Sequence, residues 1–320
     1  MRVWRVSPWD GLLLAYSLVH FAALFWCAAT WEQAGLVGRV AQVAVLAGMT
    51  AYNIIVVSHL FTHVPWFVSA RLNAAVSALN SANIGQSVQA YELMHVRNHH
   101  RYNNDAPGDT GTTRDLSSTY RDGENGEHAP LLRYAVGGAL QSLRDRGREL
   151  LLLVGLGKAD TGERVLISLA WRREPRRSRE LRQIRIDRVV RWLSLAALTA
   201  ICWQWTLFCY LPAYFLALAM VNVQNYYRHY GADPDNRAAD SVSYYGRLYN
   251  RLAFNDGYHQ EHHLNPGAHW SQLPAVRRRH QARLDAQPRI ISPLPAMLGF
   301  LHARRPLLHH ARTRGDVRDN

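Results

Sequence analysis

Three long stretches of the chain contain no Asp, Glu, Lys or Arg, and they constrain its fold more than any other feature. They are Leu12–Trp31, Val40–Val57 and Trp192–Tyr227. An α-helix needs about 20 mostly apolar residues to cross the ~30 Å of hydrocarbon in a bilayer. The third stretch has 36 residues, and as one straight helix it would be about 54 Å long, too long for a single crossing. These stretches therefore predict an integral membrane protein with more than three crossings.

A break near Leu211-Pro212 is expected in the third stretch, because proline interrupts helices. The predicted spans are residues 12–31, 38–57, 192–210 and 212–228. A cleaved signal peptide is the alternative for the first run, since Arg2 and Arg5 make its start basic. That run is longer than a usual signal sequence, however, and no small-residue cleavage site follows it. The expected fold is all-α, with four transmembrane helices as two hairpins and a cytoplasmic helical cap, in a single domain over residues 1–320.

The placement of arginine predicts the orientation. Arginines crowd residues 172–191 and a basic C-terminal tail of about 275–320, whereas the links inside the hairpins are nearly uncharged. The positive-inside rule then puts both termini, and the polar loop 103–128 between the hairpins, in the cytoplasm. Lys158 is the only lysine among 37 basic residues. Arginine has GC-rich codons, so we expect a bacterial source and the inner membrane.

The basic charge does not predict a nucleic-acid partner. The arginines flank spans without any RRM, zinc-finger or helix-turn-helix pattern, and attraction to anionic lipid headgroups explains them. Three cysteines with no CxxC pair also exclude a disulfide framework and a cysteine-based zinc module.

Nine of the 16 histidines fall in four places beside the predicted span ends. They are His59, His63, His95, His99, His100, His229, His259, His262 and His263. Residues at i, i+3 and i+4 share one helical face, so each group projects its imidazoles in one direction. Neutral imidazole suits Fe, Cu, Ni and Zn. Nine ligands are too many for one ion and natural for two, which predicts a transition-metal centre.

These ligands can meet only on one side of the bilayer, which requires an even number of crossings between His100 and His229. The predicted second hairpin supplies them. A non-catalytic metal-binding protein, such as a transporter or sensor, is the distant alternative. A transporter is expected to place ionisable ligands inside the bilayer, whereas these histidines cluster just beyond the span ends.

The motifs HxxxH, HxxxHH and HxxHH after paired spans resemble the three histidine boxes of the integral-membrane fatty acid desaturase and hydroxylase superfamily. The resemblance covers about Leu12 to Pro274. Asn225 and His229, within NYYRHYG, are similar to elements of stearoyl-coenzyme A desaturases and membrane alkane hydroxylases. The resemblance implies that the nine histidines bind two irons and that Asn225 reaches one of them through water. Leu60 stands where many relatives have an acid, and the residues after His263 match acyl desaturases only loosely, which leaves the substrate open.

The resemblance also implies a reaction: O2-dependent attack on an unactivated C–H bond of a lipid or acyl substrate at a diiron centre. Fatty acyl desaturation is the first expectation. A hydroxylase, a ketolase or a terminal-alkene-forming decarboxylase acting on an alkyl or carotenoid substrate is the alternative. The chain has no cytochrome b5-like HPGG stretch, and three cysteines in predicted spans cannot hold an iron–sulfur cluster. A separate ferredoxin, rubredoxin or cytochrome-type electron donor, with its reductase, is therefore expected.

Overall fold

The computed structural model describes residues 2–108 and 111–309, and this part of the chain is mostly helical. In chain order, the α-helices are α1 (Asp10–Thr30), α2 (Leu36–Tyr52), α3 (His59–His63), α4 (Ala70–Ile84), α5 (Val88–Met94), α6 (His100–Tyr102), α7 (Gly138–Leu153), α8 (Thr161–Leu169), α9 (Arg176–Ile201), α10 (Trp203–Trp205), α11 (Leu211–His229), α12 (Arg247–Leu252), α13 (His259–Leu264) and α14 (Leu273–Asp285). The π-helical segments are Asn53–Ser58, His95–His99, Arg133–Gly137 and Thr206–Tyr210, and short 3-10 helices cover Trp270–Gln272 and Ala296–Leu301. The strands are β1 (Val242–Ser243) and β2 (Ile290–Ile291).

The described residues form two compact units, each continuous in space but not in sequence. The first contains the chain up to Met94 together with Gly138–Ala219, and the second contains His95–Gly137 together with the chain from Met220 onward. The last eleven residues of the predicted basic tail, 310–320, lie outside the described residues.

The apolar core of the first unit explains why its long helices pack together. Leu24 and Ala28 of α1 meet Leu46 of α2, and Leu198 of α9 joins them beside Trp205. A second apolar cluster unites α5, α8 and α9. Burial of such side chains contributes roughly 1.5–3 kcal/mol each in water. Where helices pack against one another inside a lipid bilayer, close van der Waals packing stabilises the contact instead.

The predicted break near Leu211-Pro212 is wrong. The chain turns at Cys202, whose backbone is extended (φ −155°, ψ 101°) and whose Sγ accepts a hydrogen bond from the Trp205 N–H at 3.4 Å. The helix then runs on through the π-helical segment Thr206–Tyr210 into α11. Pro212 lies directly after this π-helical segment, inside the continuous helix Trp203–His229, so proline does not end the helix here.

Within residues 2–108 and 111–309, three helices are long and apolar enough to cross a membrane: Asp10–Thr30, Leu36–His63 and Trp203–His229. The first two correspond to predicted spans. A single helix of 27 residues, Trp203–His229, covers much of the predicted spans 192–210 and 212–228, so the described residues contain three candidate spans and the fourth predicted span is not confirmed. The apolar residues 192–201 instead complete α9, whose N-terminal half is rich in arginine.

A buried carboxylate on α9 determines where α5 begins. Asp187 is fully buried and accepts hydrogen bonds from the Ser77 hydroxyl at 2.9 Å, the Ser87 hydroxyl at 2.8 Å and the Gln89 backbone N–H at 3.0 Å. Because Ser77 belongs to α4 and Gln89 to α5, one side chain ties three helices together.

Gly85 is required by the turn that ends α4, and we expect Gly85→Ala to destabilise the first unit. Its φ is +63°, and an added Cβ would lie 2.7 Å from the Tyr214 ring. Its carbonyl also accepts hydrogen bonds from Arg191 and Tyr214. We expect a loss of about 2–4 kcal/mol from left-handed backbone strain and overpacking. A lower melting temperature in detergent would show it, while Gly48→Ala, where a Cβ meets nothing within 4 Å, should melt unchanged.

The second unit is built from short helices and turns around one pair of parallel strands. Val242 pairs with Ile290, and Ser243 pairs with Ile291. The described residues between 103 and 128 form turns without regular helix or strand. Several of them are nonetheless fully buried, including Asp115, Ser118 and Thr119. Backbone polar groups in a buried turn need partners, and the side chains of this segment supply many of them.

Candidate metal centre

The second unit gathers seven of the nine predicted histidine ligands. They are His95, His99, His100, His229, His259, His262 and His263. The ring centroid of His263 lies 4.5 Å from that of His100, 4.9 Å from that of His229 and 5.1 Å from that of His99. Residues as far apart in sequence as His99 and His263 therefore meet at one place.

The imidazoles form two groups of convergent nitrogen atoms. In the first, one ring nitrogen from each of His99, His229 and His263 lies within 4.8 Å of the others. In the second, ring nitrogens of His95, His100 and His262 meet the same limit. Two groups of convergent ring nitrogens could hold two metal ions.

Helix α13 and the helical turns around His95–His100 produce this arrangement. His95 and His99 stack with ring centroids 5.2 Å apart, and His259 lies 4.5 Å from His263. These i, i+4 contacts confirm the predicted shared faces. The segment His95–His99 is π-helical, a distortion that is frequent at functional sites.

Hydrogen bonds select which nitrogen of each ring is available. His99 Nδ1 lies 2.7 Å from a carboxylate oxygen of Asp115, and His229 Nδ1 lies 3.2 Å from the backbone carbonyl of Asp240. A carbonyl or ionised carboxylate only accepts, so each Nδ1 carries the proton and donates. Each Nε2 then keeps its lone pair for a metal, as outer hydrogen bonds commonly arrange for ligand histidines.

Asp115 is itself held by a set of donors. Its carboxylate accepts hydrogen bonds from the backbone N–H groups of Asn104 and Ser117, both at 2.8 Å, and from the Ser117 hydroxyl at 2.8 Å. Burial by itself raises the pKa of this carboxyl, but His99 and Ser117 bring it well below its ordinary value. An ionised Asp115 therefore fixes the ring of His99.

A second buried acid, Asp240, lies beside His263. Its Oδ1 is 4.0 Å from His263 Nδ1 and accepts a hydrogen bond from the Gln260 amide at 2.9 Å, while its Oδ2 accepts one from Asn103 at 2.9 Å. Burial raises the pKa of Asp240 to about 7. Burial also lowers the pKa of His263, and the neighbouring histidines lower it further. His263 is therefore a neutral imidazole, the form that binds metals.

The donor set fits a transition-metal ion. Among the described residues, His99 Nε2 and both ring nitrogens of His263 are buried without a hydrogen-bond partner. The Nε2 atoms of His95 and His100 are 3.2 Å apart, and those of His229 and His259 are 3.3 Å apart. Metal–imidazole bonds of about 2.1 Å, as found for zinc, place two ligands at right angles about 3 Å apart. Several neutral imidazoles suit iron, copper, nickel or zinc.

Asn225, predicted to reach a metal through water, lies four residues before His229 in α11. Its Nδ2 donates to the Tyr134 hydroxyl at 2.6 Å and to the Ser117 carbonyl at 3.3 Å. These bonds fix the amide and leave Oδ1 as the atom for a water.

The remaining two predicted ligands, His59 and His63, belong to α3 in the first unit. Their ring centroids are 5.1 Å apart, as the i, i+4 spacing predicts. His59 Nδ1 donates to the Ile55 carbonyl at 3.1 Å, which orients its ring.

Sequence reasoning missed the two buried acids beside the rings, of which Asp115 orients His99 through its carboxylate and Asp240 orients His229 through its backbone carbonyl. Asp115 and Asp240 stand in polar segments with nothing in their spacing to mark them. Glu261, inside the HxxHH motif, accepts hydrogen bonds from the Ser243 and Tyr245 hydroxyls at 2.9 and 2.6 Å, so it anchors α13 to the neighbourhood of β1.

A comparison with known families agrees with this site. Residues 38–295 match the family described as fatty acid desaturase. The chain belongs to the fatty acid desaturase family. The match includes all nine histidines and Asn225, and it confirms the resemblance drawn from the histidine motifs. Membership, together with three apolar helices, fits an integral membrane protein of lipid metabolism and a desaturase-type function.

One curated relative is the sphingolipid delta(4)-desaturase of Candida albicans (strain SC5314 / ATCC MYA-2876). It is 44% identical to this desaturase-family chain over 54 residues. The match covers 17% of this chain and 14% of that protein, so it spans only a small part of either.

Proposed function

We propose that this protein is an O2-dependent fatty acyl desaturase that holds two irons. The observation that carries the proposal is the pair of convergent imidazole groups, buried in a member of the fatty acid desaturase family. Two irons, when bound, would supply the O2 chemistry that removes hydrogen from an unactivated alkyl chain. Because the family match runs through both units, we propose that the chain acts as one domain.

The protein's own contribution is to orient ligands and to exclude water. Asp115 and the Asp240 carbonyl fix the rings of His99 and His229, and the burial of His263 keeps water from its nitrogens. All nine predicted histidines are proposed iron ligands, with His59 and His63 completing the set and Asn225 acting through a water.

The membrane topology follows from the location of the ligands. His99 and His229 belong to one buried group, so the chain between them must end on the side of the membrane where it began. Since Trp203–His229 is a candidate crossing, we propose that α9 supplies the opposite crossing. Both termini and the metal centre would then lie in the cytoplasm, with a bacterial inner membrane as the location.

Electrons have to come from another protein. The three cysteines are buried in the helices of the first unit, where they cannot hold an iron–sulfur cluster. We propose a ferredoxin, rubredoxin or cytochrome-type donor with its reductase.

Expression in an aerated bacterial host that supplies a ferredoxin system tests the function. Gas chromatography with mass spectrometry would compare cells that make the wild type, His262→Ala or His280→Ala. We expect new unsaturated acyl chains with the wild type and His280→Ala, and at least a hundredfold less with His262→Ala, since outer partners of ligand histidines alone contribute about 10–100-fold. His280 lies on α14, away from the ligand motifs.

Other products would indicate a different reaction at the same site. An alcohol, ketone or terminal alkene found only with the wild type would replace desaturation by hydroxylation, ketolation or decarboxylation. Equal profiles from wild type and His262→Ala, with both proteins found in the membrane and loaded with iron, would overturn the enzymatic proposal.

A further inference from the structure

A groove opens in the first unit, at the end of the spans remote from His63. Its volume is about 520 Å³, and it lies between the start of α2, the link that follows α1, and the helical segments after Cys202. Leu36–His63 runs as one continuous helical span, and a rise of about 1.5 Å per residue places Arg39 about 35 Å from His63. The groove is therefore separate from the proposed metal ligands of this unit.

The lining of the groove is partly apolar and partly polar. Val40, Val43 and Phe208 supply apolar side chains, and Glu32, Arg39 and Gln204 supply polar ones. Trp31, also in the lining, stands at the end of a candidate span. Tryptophan and arginine at span ends mark the level of lipid headgroups. The groove thus extends from headgroup level into the apolar layer.

The Arg39 guanidinium is held in place by Trp31. Its Nε donates to the Trp31 carbonyl at 3.3 Å, and its Cζ lies 5.0 Å from the centroid of the indole ring. Only the Nε–H is engaged by a described residue, which leaves the four terminal N–H groups to an outside acceptor. Guanidinium forms its strongest hydrogen bonds with phosphate and carboxylate.

Glu32 supplies the opposite charge next to this arginine. In the part of the chain that the structure describes, its carboxylate has neither a hydrogen bond nor an ion pair, although it lines the same groove. A cation that donates hydrogen bonds would satisfy it. The Gln204 amide adds a neutral donor and acceptor to the rim.

We propose that this groove binds a membrane phospholipid with a phosphoethanolamine headgroup. The phosphate meets Arg39, the ammonium meets Glu32, and an acyl chain lies along Val40, Val43 and Phe208. A purely anionic headgroup would place its charge beside Glu32 without an ammonium to offset it. A phosphocholine headgroup cannot donate a hydrogen bond to the carboxylate.

Lipid retention tests the proposal without any need for catalysis. The full-length protein is reconstituted in bilayers of equal parts phosphatidylethanolamine, phosphatidylglycerol and phosphatidylcholine, then extracted with mild detergent. Mass spectrometry measures the lipids that stay bound. We expect the wild type to enrich phosphatidylethanolamine over both others about two- to fivefold, the range for partly exposed ion pairs.

The variants separate the two contacts. Glu32→Gln should abolish the preference for phosphatidylethanolamine over phosphatidylglycerol. Arg39→Gln should lower retention of all three lipids. Val40→Trp should lower lipid retention by narrowing the groove. Glu124→Gln and Arg133→Gln, which remove an exposed pair in the second unit, serve as controls and should behave as wild type. Two outcomes would overturn the proposal. One is enrichment of phosphatidylglycerol by the wild type, and the other is retained lipids in the same ratio as in the bilayer for the wild type and every variant. Because Glu32 and Val40 are exposed and Arg39 is half-buried, their replacement removes no fully buried side chain.

Discussion

Replacing His263 by alanine is expected to empty much of the metal centre and to lower activity by more than about a hundredfold, since even outer partners of ligand histidines contribute about 10–100-fold. His263 is fully buried, is neutral, and lies within 5.1 Å, centroid to centroid, of the rings of His99, His100 and His229. No other described side chain bonds to its ring nitrogens. A neutral imidazole has one nitrogen with a lone pair, and that nitrogen of His263 is open to an occupant other than protein.

The measurement is the iron content of purified protein by inductively coupled plasma mass spectrometry, alongside product formation. His280→Ala is the matched control, because it removes one imidazole without touching the cluster. His263→Gln, closer in volume, separates loss of a ligand from loss of packing. If His263→Ala retained the full iron content of the wild type, this residue could not be a ligand.

Asp115→Asn is expected to weaken metal binding by about 10–100-fold although Asp115 is not itself a proposed ligand. The change replaces a carboxylate oxygen, 2.7 Å from His99 Nδ1, with an amide that can present N–H to the same nitrogen. With an amide N–H at that position, His99 would rotate or shift its proton to Nε2, the atom proposed for the metal. The backbone N–H of Asn104, which donates to the same carboxylate oxygen at 2.8 Å, would lose its acceptor as well.

Competition with a chelator of known affinity measures this effect directly. Asp122→Asn is the control, because it makes the same chemical change at an exposed position of the same loop. Melting of the metal-free proteins is recorded in parallel, so that any loss of fold is seen separately. An unchanged affinity in Asp115→Asn would show that this hydrogen bond does not prepare His99 for binding.

The membrane helices show how much of the fold the local sequence pattern can predict. Charge-free runs of about 20 residues predicted the first two candidate spans closely. The position of the third depends on Cys202, which turns the chain where Leu198 and Trp205 pack in one core. Proline is the stronger helix breaker by local preference, yet Pro212 lies inside the continuous helix, directly after the π-helical segment Thr206–Tyr210. Packing between distant helices, which no local pattern contains, decided the break.

The histidine groups could be predicted from the sequence because helical periodicity depends only on the spacing of residues along the chain. Spacing of three and four residues puts imidazoles on one face whatever surrounds the helix, and the contacts of His95 with His99 and of His259 with His263 follow from it. The number of such residues also indicated two ions rather than one.

Only the tertiary structure shows how the histidines divide into two groups and which residues form hydrogen bonds with their rings. His99 and His100 are adjacent in sequence but belong to different groups, because successive residues of a helical turn point about 100° apart and each meets a different neighbour. Asp115, in a buried turn, bonds His99, and the backbone carbonyl of Asp240 bonds His229. The sequence by itself determined most of the long helices and the predicted kind of metal ligand. Contacts between segments more than 100 residues apart decided which imidazoles meet.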